Sequence, residues 1–303
     1  MLNTKQFSQG VDCEFGNYDF LIACDLDTSH PEVVAELEHW GRWFYDQFKP
    51  DGFRLDAVKH IEASFYRDWL KHIRAHAGKN LFAVGEYLSY DLSCLRKYLT
   101  AVDNSMALFD FPLRSSMVKA GREGADFDLR TIFDDSLVVA APEQAVTLVD
   151  SHDTQPGQDD YAVPDWFRPL AYALILLRQG GYPCVFWGDY YGASYPEGKL
   201  TSHRWILDRM LECRRDYGHG PQLDFFLSPE VIGWTRHGDR EHPGGMAVVL
   251  SSGAEASLPM QTGKLSKQFR EVTGFSDQLI STDEDGMALF PAAPGKVAVY
   301  LTV

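Results

Sequence analysis

The 303-residue sequence predicts an α/β fold, a parallel sheet of barrel type built from βα units and followed by a small antiparallel β domain. Three observations carry this. Short apolar runs alternate with helical periodicity five times, as GFRLDAV, LFAVGEY, MALFDFP, AVTLVDS and PCVFWGD. Three apolar segments end in a carboxylate: Asp56 closes DGFRLD, Glu86 closes LFAVGE and Asp153 closes AVTLVDSHD. Beyond Gly218 and Gly220 the pattern shifts to short strands separated by turns, FFL, VIGWT, GGMAVVLSSG, MALF and KVAVYLTV.

The carboxylates suggest chemistry. An acid at the exit of a buried strand is held at a sheet rim, where barrel enzymes place their reacting groups. Three on one rim suit cleavage of a glycosidic bond, which needs one carboxylate as nucleophile or base, one protonated acid, and negative charge near an oxocarbenium-like transition state. Taken singly, each is equally well read as a solvated cap. Strand side chains alternate faces, so Arg54 and Asp56 share one face while Phe53 and Leu55 share the other. The arginine keeps its neighbour ionised, as a nucleophile requires, although a plain ion pair at a strand end would look the same.

The intervening segments follow in order. SFYRDWLKHIRAHAG spaces Phe65, Trp69 and Ile73 four apart, an apolar stripe for packing on a sheet, and Gly78 can stop the helix. Phe167 to Arg178 forms an apolar segment with Pro169 tolerated in its first turn, too short for a membrane helix and read as buried. Trp205 to Arg215 is the last helix of the parallel part.

Composition bounds the function. With 45% hydrophobic and 13% aromatic residues the chain can bury a sizeable core. The formal charge of −15 disfavours nucleic acid as a partner and suits a neutral polymer. No run approaches the roughly 18 to 20 apolar residues of a membrane helix, and the opening MLNTKQFSQG has no leader pattern. Cys13, Cys24, Cys94, Cys184 and Cys213 lack metal or redox spacing. Read as free thiols, they fit a cytoplasmic setting, or a secreted one if a signal peptide preceded this sequence.

DGFRLDAVKHI (residues 51 to 61), GEY (85 to 87) and VDSHDTQPGQ (149 to 158) resemble, in order and spacing, three of the four short sequence regions of the alpha-amylase family of glycoside hydrolases, family 13. The flanks GNYDFLIACDLDTSHPEV and RPLAYALILLRQGGYPCVFWGDYYG are similar too, and the likeness covers nearly the whole chain. It is strongest to the liquefying and intracellular amylases of bacteria and fungi. The resemblance implies a partial TIM (β/α)8 barrel, strands 4 to 8. Residues 1–30 would be a remnant of the inserted B domain with its calcium-site loop, 31–217 the C-terminal part of the catalytic barrel, and 218–303 a C-terminal β-sandwich domain. The family's Asn-His region has no match, so the sequence reads as an N-terminally incomplete member.

Carried over by residue, the resemblance implies Asp56 as nucleophile, Glu86 as general acid/base and Asp153 as transition-state stabiliser. Arg54 would orient the nucleophile, and Lys59, His60 and His152 would join it in the substrate-binding set. Like charges around Glu86 would keep it protonated near neutral pH, and a separation of ~5 to 5.5 Å from the nucleophile would give retention of configuration. Asp19, Asp25 and Asp27 offer hard oxygen ligands of the type calcium prefers. By resemblance Asp19 and Asp25 match side-chain ligands of a structural calcium, His60 a backbone ligand, and Asp27 a second nearby ion in some relatives. His60 alone, four residues from Asp56, lacks the company of a transition-metal site and reads as structural. Leu88 replaces the usual tryptophan after GEY, and Ser151 precedes His152 where asparagine is commoner; both bear on substrate affinity. The implied activity is retaining hydrolysis of internal α-1,4-glucosidic bonds of starch, glycogen or maltooligosaccharides by a monomer without nucleic-acid or membrane partners. The alternatives are an inactive remnant or carbohydrate-binding module, and a related α-glucan transglycosylase.

Overall fold

The computed structural model describes residues 26–158, 161–195 and 198–303, and the chain forms two compact units. The first runs to Pro112 and takes in Asp135–Val146; the second comprises Leu113–Asp134 and Thr147–Val303.

In the first unit, helix α1 (Pro31–Phe48) starts where the His30 ring accepts from the Glu32 N–H and Pro31 opens the first turn, and it ends on Lys49 in the left-handed region. Strand β1 (Gly52–Leu55) leads to helix α2 (Ala63–Ala77). The expected stripe on α2 holds, with Trp69 and Ile73 buried beside Tyr66 and Leu70, and Gly78 caps the helix at φ 66°. Strand β2 (Phe82–Gly85), helix α3 (Leu92–Ala101), strand β3 (Ala107–Phe109), the turn α5 (Leu137–Ala140) and the start of strand β4 (Ala145–Leu148) follow, while helix α4 (Phe111–Glu123) begins here and belongs to the second unit from Leu113 on. Parallel pairing runs β1-β2-β3-β4, with Leu55 opposite Gly85, Gly85 opposite Leu108, and Leu108 opposite Ala145. Beneath the sheet, Leu55, Val58, Leu70, Ile73, Leu95 and Leu108 share one apolar core.

In the second unit, helix α6 (Arg168–Leu176) is buried on every side, as its lack of a polar face requires. Strand β5 (Tyr182–Cys184) neighbours β4, the strand along which the chain passes from one unit to the other. Helix α7 (Trp187–Tyr191), the hairpin β6 (Ala193–Tyr195) and β7 (Gly198–Leu200), and helix α8 (Arg204–Tyr217) complete the α/β part.

The tail is antiparallel, as its turn-punctuated sequence predicts. Its strands are β8 (Gln222–Ser228), β9 (Val231–Arg236), β10 (Met246–Ser251), β11 (Ala256–Gln261), β12 (Gln268–Glu271), β13 (Leu279–Ser281), β14 (Met287–Ala292) and β15 (Lys296–Thr302). Six pair in the order β13-β12-β15-β10-β9-β8, and β11 pairs with β14. Leu258 and Met260 of β11 join Val249, Phe269, Phe290 and Tyr300 in one core, so both sheets bury a face together. Strands β11 to β13 are not among the expected ones. ASLPMQ alternates inward Leu258 and Met260 around Pro259, which a two-stranded ribbon tolerates at its edge.

Of the five cysteines, Cys184 and Cys213 are free thiols, but Cys94 is disulfide-bonded, which corrects the reading of all five as free. Among the described residues no helix is long and apolar enough to cross a membrane.

Candidate active site

Strand register places two of the expected carboxylates side by side. Leu55 and Gly85 are the last paired residues of β1 and β2, so Asp56 and Glu86 leave adjacent parallel strands at the same level. The ladder continues past the strand ends: Glu86 N–H donates to the Leu55 carbonyl at 2.8 Å, and Val58 N–H to the Glu86 carbonyl at 3.0 Å. Between these bonds the Ala57 N–H donates to Glu86 Oε2 at 3.0 Å. Ala57 adopts φ 46°, ψ 41°, a left-handed conformation that costs a residue with a Cβ about 1 kcal/mol or more. That turn is what aims its amide at the glutamate.

Arg54 and Asp56 share a face as the alternation requires, and the guanidinium donates to the Asp56 carboxylate. The pair is open to solvent, with the Asp56 side chain 75% exposed. Tyr66 from α2 reaches the Asp56 carbonyl at 3.4 Å, and burial, with the Asp56 charge second, pushes its phenol well above the ordinary range. A cavity of about 460 Å³ beside Asp56 is walled by Leu37, Trp40, Phe65 and Trp69. Gly85 sets the depth of β2 before Glu86: a Cβ there would meet Met106 Sδ at 2.8 Å and Leu108 Cδ2 at 3.0 Å.

Lys59 is buried, and its ammonium donates to the Leu88 carbonyl at 2.8 Å, tying the turn after β1 to the loop after β2. His60 closes the short turn Val58–His60 and is half-buried. Asp27 Oδ1 accepts from the Ser29 N–H at 3.0 Å, and this, after the stronger Ser29 hydroxyl bond, lowers the carboxyl below its ordinary range. Asp19 and Asp25 lie outside the described residues.

The third carboxylate belongs to the second unit. Asp153 stands five residues beyond Leu148 on the loop after β4, exposed, with its Oδ2 3.1 Å from His152 Nε2. The acid that directly follows this strand is Asp150, and it is wholly buried. Asp150 accepts from Arg114 at 2.8 Å, from Arg168 at 2.7 Å, from the Thr154 hydroxyl at 3.0 Å and from the Val163 N–H at 3.1 Å. Arg168 also donates to buried Asp189, which takes the Tyr172 hydroxyl at 2.6 Å. Burial raises both carboxyls above their ordinary range, while the charge of Arg168 pulls each back.

Asp110, the acid after β3, is likewise buried and accepts from the Leu137 and Val138 N–H groups at 3.1 and 2.8 Å, capping α5. Sequence reasoning passed over Arg114, Asp150, Arg168 and Asp189. One signal was available: Arg168 is the sole charge at the head of the apolar run PLAYALILL, and a charge buried there demands a partner.

The parallel βα sheet, with acids at the carboxyl ends of its strands and an antiparallel β tail, is the architecture of an α/β-barrel enzyme with a second β domain. The family of the alpha amylase catalytic domain matches residues 15–204, and the chain belongs to the alpha-amylase family of glycoside hydrolases. It is 46% identical over 301 residues to an alpha-amylase of Geobacillus stearothermophilus, covering 98% of this chain and 54% of that protein. To the cytoplasmic alpha-amylase of Escherichia coli K12 it is 40% identical over 302 residues, covering 96% of this chain and 61% of the relative. It thus spans little more than half the length of the relatives it matches. A crystal structure of an Anoxybacillus alpha-amylase superimposes with a TM-score of 0.71 at 19% identity, over 92% of this chain and 64% of that one, a likeness of fold.

Proposed function

We propose that the protein carrying this chain hydrolyses internal α-1,4-glucosidic bonds of starch, glycogen or maltooligosaccharides with retention of configuration. The observation that carries the reading is the placement of Asp56 and Glu86 at one level on adjacent parallel strands, with the Ala57 amide on the glutamate. Asp56, oriented by the guanidinium of Arg54, attacks the anomeric carbon as the glycosidic C–O bond breaks and Glu86 gives its proton to the departing oxygen. Glu86 then takes a proton from water, which attacks the same carbon and frees Asp56. Asp153 supplies negative charge to the oxocarbenium-like transition state, and His152 a hydrogen bond to the sugar. Lys59, bound to the Leu88 carbonyl, supports the loop after β2 alongside any contact with sugar.

The domain reading that goes with this is a B-domain remnant over residues 1–30, barrel over 31–217 and β-sandwich over 218–303. Calcium is the proposed structural ion. Asp19, Asp25, Asp27 and the His60 carbonyl offer an all-oxygen donor set of the kind it takes, and both Ser29 bonds to Asp27 fall on Oδ1. A cytoplasmic site of action rests on the name of the Escherichia coli relative, since the Cys94 disulfide removes the argument from free thiols.

Asp56→Asn tests the assignment. Turnover of starch should fall roughly a thousandfold or more while starch affinity is retained, because the amide keeps the shape and removes the nucleophile. Wild-type turnover in Asp56→Asn would refute the role, and an inverted product anomer by NMR would refute the mechanism.

A further inference from the structure

His152 and Asp153 sit at the corners of a tight turn, and the turn stands on buried charges beneath it. Thr154 N–H donates to the Ser151 carbonyl at 3.3 Å, closing a turn with His152 and Asp153 at its two central positions. Both side chains are exposed, with Asp153 Oδ2 3.1 Å from His152 Nε2. A solvent-exposed turn keeps one geometry only where its ends are fixed.

Both ends are fixed from below. Thr154 Oγ1 donates to Asp150 Oδ1 at 3.0 Å and accepts from the Ser151 N–H at 2.9 Å, so one hydroxyl ties the first and last residues of the turn to a carboxylate. Arg114, on α4, donates Nε–H to the same Asp150 oxygen at 3.0 Å. Its Nη2 reaches that oxygen at 2.8 Å, the Thr154 carbonyl at 3.2 Å and the Tyr161 carbonyl at 2.9 Å. Asp150 Oδ2 takes the Val163 N–H at 3.1 Å. The chain is thus held before the turn, at its end, and where it returns toward α6. Arg114, Asp150 and Thr154 are all buried.

Charge balance alone does not account for Arg114. Arg168 already places a cation 2.7 Å from Asp150, yet Arg114 directs further N–H groups at two main-chain carbonyls of the loop, which carry no charge. A planar guanidinium holds several acceptors in fixed relation, whereas an ammonium is a point charge on a flexible stem.

We propose that Arg114 is a positioning residue for the reaction: by holding Asp150, Thr154 and Tyr161 together, it sets where Asp153, and beside it His152, meet the sugar. Arg114 is sealed from solvent and acts only through the turn. The inference rests on the proposed role of Asp153 at the transition state. A misplacement of about 1 Å in such a group can cost on the order of a hundredfold in rate.

The test is a double-mutant cycle in the full-length protein carrying this chain, with starch as substrate and well below the melting temperature of every variant. Arg114→Lys keeps a charge beside Asp150 and loses the planar fork. Its kcat should fall about 10- to 100-fold, with KM changed by less than about threefold. Added to Asp153→Asn, the same substitution should lower kcat by no more than about twofold further, because a turn without its carboxylate gains nothing from being aimed. Thr154→Val loosens the same turn from its other side and serves if Arg114→Lys folds poorly. It should lower kcat likewise, and Thr154→Ser, which keeps the hydroxyl, should return kcat to near wild type. A purely structural Arg114 would lower the urea midpoint and leave the kcat of the folded enzyme unmoved. With Asp153→Asn impaired, wild-type kcat in Arg114→Lys or in Thr154→Val, or losses that multiply in full in the double variant, would overturn the positioning role alone. Wild-type turnover in Asp153→Asn would instead remove the reading of Asp153, and the inference with it.

Discussion

The exits of β1 and β4 treat their acids in opposite ways. At β1, Asp56 is paired with one arginine and left open to solvent, its side chain 75% exposed. At β4, Asp150 is sealed off, held by two arginines, a hydroxyl and an amide. A reacting carboxylate must meet substrate and keep a lone pair uncommitted, whereas a structural one must have every lone pair satisfied. Hydrogen-bond saturation, more than position at a strand end, separates the two. Asp110 and Asp189 fall with Asp150; Asp56 and Asp153 fall on the other side.

The largest effect should come from breaking the sealed side. Arg168→Met leaves Asp189 without a guanidinium and Asp150 with one, and breaking a buried pair in this way costs about 3–5 kcal/mol. Arg54→Ala, at the open exit, should change stability by no more than about 1 kcal/mol. Urea denaturation of both variants checks the contrast, and equal losses would erase it.

Glu86→Gln should lower hydrolysis of starch by about 10² to 10⁴ and spare a fluoride or activated aryl glycoside, whose leaving group needs little protonation. Steady-state rates on the two substrates decide it; equal losses on both would remove Glu86 from the acid role. Gly85→Ala should cost about 1–3 kcal/mol, because the added carbon meets Met106 and Leu108 in the core beneath the glutamate. A denaturant midpoint matching wild type would show that the strand can shift to make room.

Ala57→Gly should have the smallest effect on stability, a gain of at most about 1 kcal/mol. Relief of the left-handed strain is offset by the extra freedom of glycine in the unfolded chain. Turnover should fall, since a looser turn aims the amide at Glu86 less well. A thermal melt with parallel rate measurements separates the two terms, and a clear loss of stability would mean that Ala57 carries no strain.

Much of the parallel part was legible because its signals are local. A short apolar run ending in an acid reads as a strand exit in GFRLD and LFAVGE, and Gly78 marks the end of α2 through its own positive φ. Helix α8 and strands β9, β10 and β15 were readable for the same reason, each declared by its own periodicity. Strands β12 and β13 were not: QFRE and LIS are too short to show a period, and pairing with a neighbour fixes them.

The sequence by itself determined the family, the βα alternation and which acids could carry chemistry, because motifs and periodicity are properties of neighbouring residues. Tertiary structure decided which acids remain available. Asp150 and Asp153 are three residues apart in one string, and nothing local marks the first as buried. Its partners Arg114 and Arg168 come from 36 and 18 residues away. Desolvation and donor count are set by long-range packing, so they could be read only once the chain was folded.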